Sequence, residues 1–266
     1  MKTILKNSEA LTKFVTLDPT STIADFRWYR PTNKLLYETV REAINHSGYV
    51  VTHETVLSDT KGDYMTYIVS FGLMNPTAKF PNVGYYQPTL VLFNRNGKRG
   101  SFHGLQALRN PIDNTLIFPE QIDALVTIPS LSIMDKPADM SFRLIANDAR
   151  FEAYEKIAAF ADRLQEPTFL STEAFKNANG VVFGKFFFDK EMITSVQSTY
   201  CKGMLKGLLS QKTSFTPYDL YSLYSTMFYT YAHPRTYKET MTELTKDFST
   251  RYPKVEEPKP MAAIPF

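Results

Sequence analysis

Three short stretches of this chain set cations beside flat aromatic rings, a pairing that can hold a nucleic-acid strand by phosphate and base together. The first is Arg27-Trp28-Tyr29-Arg30, with the only Trp of the chain between two arginines. A base stacked on an aromatic face contributes about 1–3 kcal/mol, and flanking guanidiniums neutralise phosphates. The second is Arg95-Asn96-Gly97-Lys98-Arg99, followed by Phe102, His103 and Arg109. Asn-Gly suits a tight hairpin turn, which would project three cations as a compact finger. The third is Phe183-Gly184-Lys185-Phe186-Phe187-Phe188, read as the strand Val181–Phe188. Strand alternation would bury Phe186 and Phe188 and turn Lys185 and Phe187 outward, next to Lys190. Each stretch also has a plain structural reading: a Trp plugging a sheet edge, a polar hairpin tip and a core strand. For the third, the core reading is the stronger.

Residues for bond-breaking chemistry do not group. His46, His53, His103 and His233 have no metal-ligand spacing, and Cys201 is the single cysteine. No phosphate-binding Gly-rich loop, nucleophile elbow or dinucleotide fingerprint appears. Clustered carboxylates of the kind a nuclease needs are not evident. His103 reads as a hydrogen-bonded strand histidine and Cys201 as a small core residue. The expectation is a binding protein, not an enzyme, with neither cofactor nor metal.

The elements that must position these stretches follow from periodicity. From Thr32 or Asn33, Leu36, Val40, Ala43 and Ile44 share a helical face that Gly48 stops. The period then changes to two. Tyr49–Leu57, Tyr64–Leu73, Thr89–Asn94, Lys98–Leu108 and Thr115–Phe118 read as an antiparallel meander. Residues 1–31 look irregular, and 119–147 apolar but Pro-broken. Helices are expected over Asp148–Gln165, from an Asp189 cap to about Ser210, from Thr216-Pro217-Tyr218-Asp219 to about Ala232, and from Pro234 to about Ser249. Tyr221, Tyr224, Phe228 and Tyr231 form a core stripe. Lys202 and Lys206 read as a solvated face, and Gly203 with Gly207 as a site of close helix packing. The fold class is α+β: a β-meander in the first half packed with helices from the second, then an extended C-terminal tail. Residues 1–250 form one domain, sheet-rich over 26–147 and helix-rich over 148–250, and residues 251–266 a flexible tail.

Composition bounds the partners. Thirty Lys+Arg against 27 Asp+Glu leave a net charge of +3, so a nucleic-acid surface must be a local patch. Thirty-six Tyr and Phe among 266 residues exceed what a core needs and leave ring faces near the surface. The start lacks the apolar run of a signal peptide and no stretch suits a membrane span, so no membrane partner is expected and the location is the cytoplasm, here of a host cell. A homo-oligomer is compatible with the sequence.

Pro253, Pro258 and Pro260 keep the tail extended, and it ends in Ile264-Pro265-Phe266, an apolar tip carrying the α-carboxylate. This tip resembles the Ile-Pro-Phe end of bacterial single-stranded-DNA-binding proteins, which recruits replication and repair proteins, although the usual acidic run is missing: Arg251, Lys254 and Lys259 stand against Glu256 and Glu257. The stretch over 26–225 resembles the phage/plasmid-like protein family, of unknown function. The shared features are Tyr29-Arg-Pro-Thr32, Gly48, the strand Thr89-Leu-Val-Leu-Phe-Asn94, Phe102, Asp113-Asn114-Thr115-Leu116 and Tyr218-Asp-Leu-Tyr221. Arg95-Asn96-Gly97-Lys98 replaces that family's Ser-His-Asp-Gly, so any role of its His or Asp does not carry over. The resemblance implies a mobile-element protein working on nucleic acid. The expected function is a phage-encoded single-stranded-DNA-binding protein in replication, recombination or transcription, whose tip recruits a partner such as a polymerase. The alternative is a host-takeover factor that binds a bacterial protein and no DNA.

Overall fold

The computed structural model describes residues 5–17, 33–75, 78–95, 102–120, 126–128, 148–231 and 233–254. Strands β1 (Leu5–Lys6), β2 (Tyr49–Ser58), β3 (Tyr64–Leu73), β4 (Gln87–Arg95), β5 (Phe102–Arg109) and β6 (Leu116–Ile117) follow one another across a single antiparallel sheet. Strand β7 (Val126–Ile128) pairs with the other half of β5's outer edge. Helices α1 (Ser8–Leu17) and α2 (Asn33–His46) belong to the first half of the chain. The second half supplies α3 (Asp148–Gln165), α4 (Thr172–Gly184), a π-helical turn (Lys185–Asp189), α5 (Ser195–Gln211), α6 (Pro217–Tyr231) and α7 (Tyr237–Arg251). The architecture is α+β, a first-half meander packed with second-half helices.

Alternation along the strands divides the side chains between two covered faces. On one face Tyr67 and Phe71 of β3 meet α2 and α3: Tyr37 packs edge-on to Tyr67 at 5.0 Å, and Tyr154 to Phe71 at 6.1 Å. Glu54 of β2 accepts hydrogen bonds there from the hydroxyls of Tyr37 and Tyr67. The other face belongs to α6 and the α6–α7 link. Tyr229 donates to Thr55 Oγ1 at 2.8 Å, and Thr66 donates to the Pro234 carbonyl at 3.3 Å. Helix α6 crosses this face from the β5–β6 turn, where Asn110 donates to Tyr218, to Thr55 on β2. One core cluster contains residues of both halves of the chain, from Ala10 to Phe248.

The helix α2 follows its sequence period. Leu36, Val40, Ala43 and Ile44 are fully buried, the larger of them contributing about 1.5–3 kcal/mol each. Gly48, at a φ of +78°, turns the chain out of the helix and into β2, where a Cβ would be strained. Helix α6 begins as read, with Thr216 and Asp219 bonding reciprocally to each other's backbone N–H. Its tyrosine stripe is core, with Tyr221, Tyr224 and Phe228 buried and only Tyr231 partly open.

Four expectations are corrected. Residues 5–17 are not irregular: Asn7, at a φ of 49°, substitutes for a strand residue by exchanging hydrogen bonds with Val56 and then starts α1. The supposed strand Val181–Phe188 is the end of α4 and the π-turn, because Ser171 caps a helix by accepting from Ala174 N–H. The next helix is capped by Thr194 in a reciprocal box with Gln197, not by Asp189, which rotates its inward face to Gln197, Ser198 and Cys201 and leaves Val196 exposed. Gly203 and Gly207 mark no close packing, since among the described residues nothing lies within 4 Å of where a Cβ would stand on either.

Candidate nucleic-acid interface

The first residue of α2 and the end of β4 are tied together. Asn94 Nδ2 donates to Asn33 Oδ1 at 2.8 Å, and Asn33 Nδ2 donates to the Gly62 carbonyl at 2.9 Å. Both side chains are buried, so each bond replaces water that is not available and breaking one leaves an unmet polar group. This clasp joins three segments at one end of the sheet: the entry to α2, the β2–β3 turn and the end of β4. Arg95 is the residue after Asn94, and it pairs across the ladder with Tyr64. Tyr64 in turn meets the His233 ring edge-on at 6.0 Å, and the Arg235 N–H donates to His233 Nδ1. Arg235 and Lys61 are exposed. Two carboxylates share the turn: Asp59 accepts from the Tyr64 N–H, and Asp63 is exposed.

Of the residues singled out in sequence, Arg27, Trp28, Tyr29, Arg30, Lys98, Arg99, Ile264, Pro265 and Phe266 lie outside the described residues. Arg95, Phe102 and His103 are described by their strand positions alone. The turn expected at Asn96-Gly97 lies outside the described residues, and the register of the flanking strands is what the structure gives. A two-residue turn there would set Phe93 opposite Gly100, whereas Phe93 pairs with His103.

Arg109 does not join this group. It ends β5, whose other end is Phe102, about 23 Å away at ~3.3 Å per residue. Its Nη1 donates to Gln87 Oε1 at 2.8 Å and its Nη2 donates to Asn114. Lys185 and Phe187 also leave the proposed surface. Lys185 Nζ donates to Asp247 at 2.6 Å, Lys190 pairs with Glu243 at 3.4 Å, and Phe187 is stacked on Phe183 at 5.1 Å. Phe188, expected inside, is 70% exposed, because a π-helical turn and not a pleat sets its direction. The aromatic surplus is mostly core: Tyr49, Tyr67, Tyr154, Tyr221, Tyr224 and Tyr237 are all fully buried. Cys201 is a core thiol, and burial pushes its pKa up to about 11.

Lys61, Tyr64, His233 and Arg235 were not singled out in sequence. The contacts of Thr66 with Pro234 and of Tyr64 with His233 bring the α6–α7 link to the start of β3, and no local pattern announces a pairing of that range. Among the described residues no group of His, Cys, Asp and Glu could hold a metal ion, and no helix is long and apolar enough to cross a membrane. Comparison of the chain with protein-family models, with curated proteins and with solved structures gives no match.

Proposed function

We propose that the chain is a phage-encoded single-stranded-DNA-binding protein acting in replication, recombination or viral transcription, and that Ile264-Pro265-Phe266 recruits a partner such as a polymerase. One observation carries the reading: the hydrogen bond between Asn33 and Asn94. Arg27-Trp28-Tyr29-Arg30 runs into Asn33 within a few residues, and Arg95 leaves Asn94 directly. Extended chain reaches at most about 10 Å from Asn33 to Arg30 and about 20 Å to Arg27, so chain connectivity tethers the first stretch to the end of the sheet that Arg95 leaves. Lys61, Tyr64, His233 and Arg235 stand at the same end. Cations there would neutralise phosphates, rings would stack bases without reading sequence, and a duplex would be disfavoured because its base faces are hidden.

The test is a salt titration of oligo(dT) and duplex DNA binding with the wild type and with Arg95→Ala/Lys98→Ala/Arg99→Ala. Single strands are expected to bind tighter at every salt concentration. The triple variant is expected to lower the slope of log affinity against log salt by about 2, at ~0.7 per lost contact. Equal, feeble affinity for both forms, or an unchanged slope, overturns the reading.

A second reading, a host-takeover factor that contacts a bacterial protein and no DNA, is favoured by the exposed Val181 near the end of α4 and Phe188 in the π-helical turn after it. Capture from host lysate in the presence of nuclease separates the two. Partners that survive nuclease but are lost with Phe188→Ser support this second reading.

A further inference from the structure

Along the second half of α4 a shallow groove opens to solvent, floored by two glycines and edged by four apolar side chains. We propose that the Pro-rich segment after α7, residues 255–266, docks in this groove in cis. The docking is independent of the DNA reading, and only its consequence for recruitment rests on that reading.

Gly180 and Gly184 lie one turn apart on α4, and among the described residues nothing lies within 4 Å of where a Cβ would stand on either. Val181, 55% exposed, stands beside them, and the exposed Phe188 of the π-helical turn closes the far end. The rings form a continuous wall: Phe183 stacks on Phe187 at 5.1 Å, and Phe187 meets Phe188 edge-on at 4.9 Å. Phe186 alone of this run is fully buried. Glycine weakens a helix interior, and no close contact among the described residues offsets that here. From Gly180 to Phe188 the groove is about 12 Å long at ~1.5 Å per residue. Proline-rich chain at ~3.1 Å per residue fills that length with about four residues.

Where the segment begins and what it contains select it as the occupant. Asp247 of α7 accepts from Lys185, the first residue of the π-helical turn, at 2.6 Å and from Arg251, the last residue of α7, at 2.7 Å. Lys190, just past the turn, pairs with Glu243 one turn earlier on α7. The end of α7 therefore adjoins the turn that carries Phe188. Residues 255–266 span at most about 40 Å when extended, over three times the length of the groove. They carry Pro258, Pro260 and Pro265 together with Met261, Ile264 and Phe266. Chain of this composition docks on aromatic-lined grooves because its backbone has little freedom left to lose. From Lys254 onward the charges cancel, Lys254 and Lys259 against Glu256 and Glu257, so the contact is apolar and insensitive to salt. On the reading that Ile264-Pro265-Phe266 recruits a partner, the groove holds the tip until that partner competes for it.

The core cluster and the residues packed on it end at Tyr252, so a chain stopped after Lys254 keeps every described contact. The experiment titrates a fluorescein-labelled peptide of residues 255–266 with the full chain and with this shortened chain, without DNA, at low and at high salt. The shortened chain is expected to bind the peptide equally at both salts. The full chain should bind it about tenfold or more weakly, because its own segment competes at an effective concentration of about millimolar. In the shortened chain Gly184→Leu fills the open space and should weaken binding about tenfold, as should Phe188→Ser; thermal melting checks that both variants are folded. Arg95→Ala/Lys98→Ala/Arg99→Ala should leave peptide binding unchanged even where it abolishes oligonucleotide binding, which separates failure of the groove from failure of the DNA reading. Equal binding by the full and shortened chains overturns docking in cis. No binding by the folded shortened chain, or undiminished binding by Gly184→Leu, overturns the groove as the site. Self-association of the shortened chain that Phe188→Ser removes would then assign the face to a second copy.

Discussion

The cations of the helical half and those of the sheet are treated differently by their surroundings. In the helical half, Lys185 and Arg251 share the carboxylate of Asp247, Lys190 faces Glu243, and Lys212 pairs with Asp219, which also caps α6. On the sheet, Lys6 meets a tyrosine ring and Arg109 meets amide oxygens. A net charge of +3 conceals this segregation. Acids on α7 are spent holding α4, its π-turn and the end of α7 together, so matched charge there is structural. On the sheet, Lys6 has an aromatic face and Arg109 has amide oxygens with the Asp113 carboxylate farther off, so these charges hold less of the fold together.

The largest effect that would break this contrast is at Asp247, which is buried and accepts from Lys185 at 2.6 Å and Arg251 at 2.7 Å. Asp247→Ala leaves both cations without a partner. Because both cations are partly exposed and can turn to water, the cost is expected below that of a fully buried pair, at about 2–4 kcal/mol in urea unfolding. Oligonucleotide affinity should stay within about twofold. A variant of unchanged stability that binds DNA differently would place these cations in function after all.

The two halves also differed in how far they could be read in advance. The meander was legible because its period of two was written strand by strand, and α2 because Leu36, Val40, Ala43 and Ile44 kept one face before a Gly that needs positive φ. The third basic stretch was misread because Phe183, Lys185 and Phe187 alternate with other residues as a strand would, while the cap that makes the segment helical sits twelve residues earlier, at Ser171. The clasp was invisible for a different reason. Asn33 and Asn94 are ordinary cap and strand-end residues in sequence, and only their burial against each other makes them a joint. Arg109 was grouped with the hairpin by proximity in sequence, yet an extended strand carries neighbours in sequence far apart in space.

A smaller effect tests whether the helical half is closed on its own. Gly203 and Gly207 lie inside α5 with open space where a Cβ would stand. Alanine at either should stabilise the chain by about 0.5–1 kcal/mol, by lowering the entropy of the unfolded state and favouring the helix. Thermal melting reads this directly. If either substitution destabilises the protein, something packs against α5 that the open space does not reveal, and the matched half has an interface of its own.

On the sheet, the first consequence is a pH dependence. The folded pKa of His53 lies below its ordinary 6.5, through burial and the Arg109 charge. Between those two values the unfolded chain binds more protons than the folded one, so stability rises with pH through that window and the penalty is present in full only below it. His53→Gln should flatten the stability profile below pH 6.5. A slope that persists unchanged would mean that neither burial nor the Arg109 charge holds the His53 imidazole below its ordinary value.

The smallest stability change belongs to Lys6→Met, and its size is what gives it force. Methionine keeps the packing of the lysine stem on Tyr229 while removing a charge whose burial is uncompensated. Stability is therefore expected to stay within about 0.5 kcal/mol of wild type or to rise slightly. Set against the loss at Asp247, this near-zero change separates the two kinds of charge on one scale. A fall of about 2 kcal/mol or more on Lys6→Met would make the ammonium–ring contact a structural bond like those of α7, and the distinction between spent and unspent cations would lapse.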